Sequence, residues 1–267
     1  MPKTTSHDGL NIDYDVQGSG PALLLIAGLS ADRGLWGYTR DTLNSSFTTI
    51  AFDNRDAGQS DLAQSKYGYA DLAKDALSVL DAAGFEKVHV LGHSMGGVIA
   101  QELAIMQPDR VLSLIIANSY AQNDVHTTEH VKLASALRKN IDEDHTFLSA
   151  MYFYGLGRGT LTQMPLSAVA QSVLDAGPMQ NRDGFQRQCD VLLTTDTVDR
   201  LPQISAPTLV LHSPDDKFFT KEQSETIAAA LSGSKILEIS GTGHCPMIEN
   251  PPAFLEAVTD FVTSKAA

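Results

Sequence analysis

The chain has 267 residues, 43% apolar and 19% charged, with 19 Lys and Arg against 32 Asp and Glu for a formal net charge of −13. This composition excludes a globally disordered chain. The acidic balance argues against nucleic-acid partners and anionic membrane surfaces, which both need clustered Lys and Arg.

Short β-rich runs recur along the sequence. Leu23–Ile26 follows the Gly18–Pro21 turn, then come Phe47–Phe52, Val88–Leu91, Val111–Ala117, Thr208–His212 and Ile236–Ile239. Most are continuously apolar, as strands covered on both faces should be. Helical patterns lie between them. Leu72, Ala76, Val79, Leu80 and Ala83 share one helical face, with Gly84 as the stop. Val98–Met106 is a second helix ending before Pro108, and residues 221–231 and 253–263 are two more. Strands alternating with helices predict an α/β fold with a mostly parallel sheet flanked by helices. Between 121 and 200 no strand pattern appears. The expected organisation is a core of residues 1–120 and 201–267 with a helical cap at 121–200.

Val88–Leu91 runs into Gly92-His93-Ser94-Met95-Gly96 and then a helix. A serine at such a strand-to-helix corner has its hydroxyl pushed out above the sheet, and the helix aims its first amides at the same point. A hydroxyl is a weak nucleophile without a base to take its proton. Among eight histidines, His244 in Gly241-Thr242-Gly243-His244 follows the last strand and is the expected base. His212 is the second choice; His93 and His89 are expected to pack, and His7 to lie on the surface. The orienting acid belongs after the strand ending at His212, where both Asp215 and Asp216 are available. Two amides should hold a developing oxyanion: that of Met95, directly after the serine, and that of Leu29, presented by the turn at Gly28.

These segments resemble the α/β-hydrolase superfamily over nearly the whole chain. Asp53-Asn54-Arg55-Asp56-Ala57-Gly58-Gln59-Ser60 is similar to that family's Asp-x-Arg-Gly-x-Gly-x-Ser loop, with Asp56 where glycine is usual. Ser213-Pro214-Asp215-Asp216 resembles its Gly-x-x-Asp segment, which implies Asp216 as the acid. Gly243 to Pro251 resembles its histidine loop and the Glu-x-Pro that follows. Within the superfamily the chain looks most like the 3-oxoadipate enol-lactonase and aminoacrylate hydrolase group. Trp36 and the run from Arg182 through Cys189 to Ile204 carry that similarity. The resemblance implies a serine hydrolase acting on a small carboxylic ester, lactone or enamine/amide-type bond. Perhydrolysis, cofactor-free oxygenation and a small-molecule receptor are the alternatives on the same scaffold.

Gly28, Trp36 and Tyr154 are the expected substrate contacts; the alternative for the aromatic run at Met151–Tyr154 is core packing. An anionic substrate stays open, since Arg158, Arg182 or Arg187 could meet a carboxylate. His126-Thr127-Thr128-Glu129-His130 matches a zinc-protease pattern, but without an evident third ligand a solvated helix start explains it better. Cys189 and Cys245 form no CxxC pair. No metal or organic cofactor is expected, and the partner is a small-molecule substrate with oligomeric state open. Met1–Leu10 lacks signal-peptide features and no apolar run reaches membrane-spanning length, so the expected location is cytoplasmic.

Overall fold

The computed structural model describes residues 2–265; Met1, Ala266 and Ala267, the outer ends of the expected core segments, lie outside the described residues. The strands are β1 (Lys3–Thr5), β2 (Asn11–Gly18), β3 (Ala22–Ile26), β4 (Thr48–Phe52), β5 (Val88–His93), β6 (Val111–Ala117), β7 (Thr208–His212) and β8 (Lys235–Glu238). They form one sheet in the order β1-β2-β4-β3-β5-β6-β7-β8. β1 and β2 run antiparallel to their neighbours, and β4 through β8 are parallel. The predicted strands are all present, with ends shifted by one or two residues. β1 and β2 were not predicted. β2 reads Asn-Ile-Asp-Tyr-Asp-Val-Gln-Gly, and its polar alternation gives no continuous apolar run. Its Asp13 and Asp15 instead pair with Arg33 and Arg40.

Among the described residues eleven α-helices follow in chain order: α1 (Gly37–Leu43), α2 (Tyr69–Ala83), α3 (Met95–Met106), α4 (Val125–Asn140), α5 (Asp144–Gly155), α6 (Arg158–Gln163), α7 (Leu166–Ala176), α8 (Arg182–Leu192), α9 (Lys221–Ala230), α10 (Pro246–Glu249) and α11 (Pro251–Thr263). α2 buries Leu72, Ala76, Val79 and Leu80, and ends at Gly84 in the left-handed region at φ 79°. There a side chain would be strained and the amide turns back to the last carbonyls.

Alternation along the central strands divides the interior into two layers. Leu24, Ile26, Ile50, Val90, Leu114, Ile116 and Val210 pack on one face with α2 and α3. Leu23, Leu25, Ala51, Leu91, Ile115 and Leu211 pack on the other with α1 and α11. Between β6 and β7 the chain is helical, α4 to α8, apart from one isolated bridge between Gln122 and Asp196. The loops after β3, β5, β6, β7 and β8 leave the sheet at the carboxyl ends of the parallel strands, where open α/β sheets place their sites. Among the described residues no helix is long and apolar enough to cross a membrane.

Candidate active site

Ser94 sits at the β5–α3 corner with φ 57° and ψ −124°, a conformation that costs a non-glycine residue about 1–3 kcal/mol. The corner is held by packing on every side. A Cβ on Gly96 would stand 2.1 Å from the Ile26 carbonyl oxygen, and one on Gly28 would stand 2.8 Å from the Ser94 Cβ. Gly28 therefore lies directly against the serine, and only hydrogen fits there. The Ser119 hydroxyl donates to the Ser94 carbonyl at 2.7 Å and fixes the corner from the segment just after β6.

His244 Nδ1 donates to Asp216 Oδ2 at 2.9 Å, and both residues are buried. Asp216 has every acceptor position used: Asn118 Nδ2 donates to Oδ2 at 3.0 Å, and the amides of Phe218 and Phe219 donate to Oδ1 at 2.8 and 3.2 Å. Burial alone would push this carboxyl up. The charge and hydrogen bond of His244, with the bonds from Asn118 and Phe218, outweigh it and hold Asp216 below the usual carboxylate range. Asp215 instead accepts from the Arg158 amide at 3.2 Å. Of the two aspartates after β7, Asp216 meets the histidine and Asp215 does not.

Ser94 and His244 line one cavity of about 630 Å³, together with Gly28 and Leu29. Among the described residues no hydrogen bond joins the Ser94 hydroxyl to His244. Such bonds are often loose before substrate binds. The Leu29 amide has no acceptor among the described residues, and Met95 opens α3, ahead of the helical ladder.

Two of the expected substrate contacts lie elsewhere. Trp36 closes a 3-10 turn, Arg33–Trp36, that carries its ring under the sheet, where it is 1% exposed among Leu23, Leu25, Leu43 and Phe47. Tyr154 is 37% exposed and outside the cavity wall. On α5 the wall is built from Phe147, Leu148, Met151, Tyr152 and Gly155, a 3–4 spacing that turns positions 153 and 154 outward. The other histidines fall into place. His93 is buried and its Nε2 donates to the His244 carbonyl at 2.7 Å; burial and the nearby His244 push its pKa down to about 3, so it stays neutral. His89 meets the Ser113 hydroxyl at 2.7 Å, His212 lies 4.0 Å from Glu238, and His7 pairs with Asp71 on the surface. His130 departs from the solvated position expected of it: it lines the cavity with its ring edge-on to Phe218 at 4.2 Å. His126 and Glu129 are exposed, and no metal-holding group of three or more ligand side chains occurs among the described residues. Cys245 is buried, which pushes its thiol well above its ordinary range.

Several supporting residues were not singled out for a role in the sequence, although Glu249 is the Glu of the Glu-x-Pro segment and Asp56 stands in the Asp-x-Arg loop. Glu249 clamps the histidine loop: Oε1 accepts from the Gly243 and Cys245 amides at 2.9 and 3.2 Å, and Oε2 from the Gly157 amide and Thr160 hydroxyl at 2.7 Å each. The His244 amide itself donates to the Gly155 carbonyl at 2.6 Å. Gln188 of α8, fully buried, accepts from the Ser30 amide at 3.0 Å and donates to the Arg55 carbonyl at 3.0 Å. It thereby pins the turn that carries Leu29. Asp56, in the left-handed region at φ 70°, uses the side chain a glycine would lack to receive Tyr67 at 2.8 Å and Arg187 at 2.6 and 2.9 Å. The helices between β6 and β7 are therefore tied to the sheet on both sides of the cavity.

A mostly parallel eight-stranded sheet with a strained serine after its fifth strand and an Asp–His pair after its seventh and eighth defines a class. The family model for the alpha/beta hydrolase fold matches residues 21–251, and the chain belongs to that family. Its relatives are named as hydrolases, and it is a hydrolase-class enzyme. RutD of Azorhizobium caulinodans, which bears the name of a carbamate hydrolase, is 28% identical over 98% of both chains. 3-Oxoadipate enol-lactonase 1 of Acinetobacter baylyi is 28% identical over 97% of this chain and 96% of its own. Among solved structures, the enol-lactonase from Burkholderia xenovorans LB400 superposes with a TM-score of 0.88 at 22% identity, covering 98% of this chain and 100% of that one.

Proposed function

We propose that the chain hydrolyses a small carboxylic ester, lactone or enamine/amide-type bond through Ser94, His244 and Asp216. Ser94 Oγ attacks the carbonyl carbon while His244 Nε2 takes its proton. The amides of Leu29 and Met95 receive the developing oxyanion. His244 then returns the proton to the leaving group, the acyl-enzyme forms, and a water deprotonated by the same imidazole releases the acid. Asp216 stays ionised and holds the ring in the tautomer that leaves Nε2 bare. Residues 121–200 act as the cap that shapes the cavity and limits water. This sequence of proton transfers calls for no metal or organic cofactor.

The observation that carries the reading is the Asp216–His244 bond of 2.9 Å opening onto the cavity that the Ser94 corner also lines. The relatives named as a carbamate hydrolase and an enol-lactonase support the bond class without fixing the substrate. The test is turnover of p-nitrophenyl acetate by wild type and Ser94→Ala. The variant is expected to stay folded and lose nearly all turnover; full turnover in the variant refutes the proposal.

A further inference from the structure

We infer that the cavity over Ser94 takes an uncharged ester with an apolar acyl part and turns away acyl groups that carry a carboxylate. This rests on the hydrolase reading above and narrows it. The cavity's 630 Å³ is ample for an acyl group of several carbons. Its wall from α4, α5 and α7 is mostly apolar, with Val131, Ala134, Phe147, Leu148, Met151 and Val173, and its polar members there, Thr127, His130, Tyr152 and Ser172, include no carboxylate, lysine or arginine. The charged residues on the lining are Asp32, Asp53 and Arg33, so acid outnumbers base. Arg33 already meets Asp13 at 2.5 Å and Asp53 at 2.9 Å.

The arginines that left an anionic substrate open are engaged elsewhere or stand outside. Arg187 is bound by Asp56. Arg182 donates to the carbonyls of Arg138, Ile141 and Asp142 and pairs with the Asp142 carboxylate at 3.0 Å. Arg158 is exposed and not part of the lining. His130 supplies no cation at neutral pH, because burial, then the neighbouring His126 and His244, push its pKa down to about 4. Its ring stands one aromatic side chain from the base: His130 to Phe218 is 4.2 Å and Phe218 to His244 is 4.7 Å between centroids. A carboxylate carried past it would lose its water with no positive partner to replace it.

The test compares p-nitrophenyl hexanoate with mono-p-nitrophenyl adipate, which puts a carboxylate at the end of an otherwise similar chain. The expected kcat/KM for the hexanoate is at least 100-fold higher. Equal or better turnover of the adipate overturns the inference and leaves the hydrolase reading standing. No Ser94-dependent release from either ester overturns the hydrolase reading, and this inference with it. His130→Arg places a cation in the wall and is expected to cut the preference at least tenfold. Met151→Arg does the same from α5 if the α4 variant does not fold. A preference unmoved by the charge in whichever variant folds also overturns the inference, since the discrimination then arises outside the cavity.

Discussion

Replacing Glu249 with Ala removes the acceptor for four hydrogen bonds without touching a reacting atom. Two of the donors, the Gly243 and Cys245 amides, flank His244, and two, the Gly157 amide and Thr160 hydroxyl, belong to the start of α6. Each part-buried donor left without a partner costs about 1–3 kcal/mol, less where water reaches it. Allowing for water at the exposed end, the sum is about 3 kcal/mol of stability, or roughly a 6–12 °C fall in Tm for a chain of this size. Gln is no rescue, because its amide offers one acceptor oxygen where two are needed, and its NH₂ faces donors. The His244 ring should lose its fixed aim, so kcat is expected to fall about tenfold or more with KM changed little. Thermal unfolding and steady-state kinetics with p-nitrophenyl hexanoate read both effects. A Glu249→Ala variant with wild-type Tm and kcat refutes the reasoning that this carboxylate sets the loop.

Asp216→Asn keeps the shape but lets the His244 ring settle in the wrong tautomer, and kcat should fall by about 10³–10⁴-fold; a loss under tenfold contradicts the assignment. Gln188→Leu removes the acceptor from the Ser30 amide and should lower kcat/KM about tenfold, read beside the wild type on one ester. Because His93 has its pKa lowered to about 3 in the fold against an ordinary 6.5, the unfolded chain binds the extra proton between those values. Stability therefore falls as pH drops below about 6.5, by about 2 kcal/mol between pH 7 and pH 5 from this group alone. Urea unfolding at both pH values should show that much of the difference vanish in His93→Gln. Asp216 works at lower pH: its depressed pKa gives stability that is present above the ordinary carboxylate value and lost as pH falls through the folded one.

The inner parallel strands were legible because most are apolar runs buried on both faces, while β8, exposed along its length, showed only through Ile236 and Leu237, and the serine corner was legible because its glycines meet backbone at close range. β2 was not legible, since its aspartates belong to ion pairs formed only once Arg33 and Arg40 arrive from the next segment. The same holds for the site. Ser94 was picked out by its flanking glycines between strand and helix and His244 by its place after the last strand, and Asp216 needed the family's Gly-x-x-Asp spacing to separate it from Asp215. Trp36 was misplaced because a 3-10 turn decides which side of the sheet its ring enters, and Tyr154 because α5 turns it one position past the wall. Asn118 and Gln188 act through bonds spanning 98 and 158 residues of chain, distances over which local pattern carries no signal, and the Glu-x-Pro resemblance marked Glu249 without its 92-residue reach to Gly157. One clue existed for Asn118, whose φ of 47° at the end of β6 suits asparagine better than most residues. His130 had a clue of another kind, a spacing shared with metal sites, but its ring is placed by Phe218.

The most direct measurement is covalent labelling with an alkyl fluorophosphonate, followed by peptide mass spectrometry. One equivalent should add to the peptide that contains Ser94 in the wild type, and labelling should slow by orders of magnitude in His244→Ala. Adduct on another residue, or an unlabelled Ser94 in protein that still turns over esters, contradicts the account.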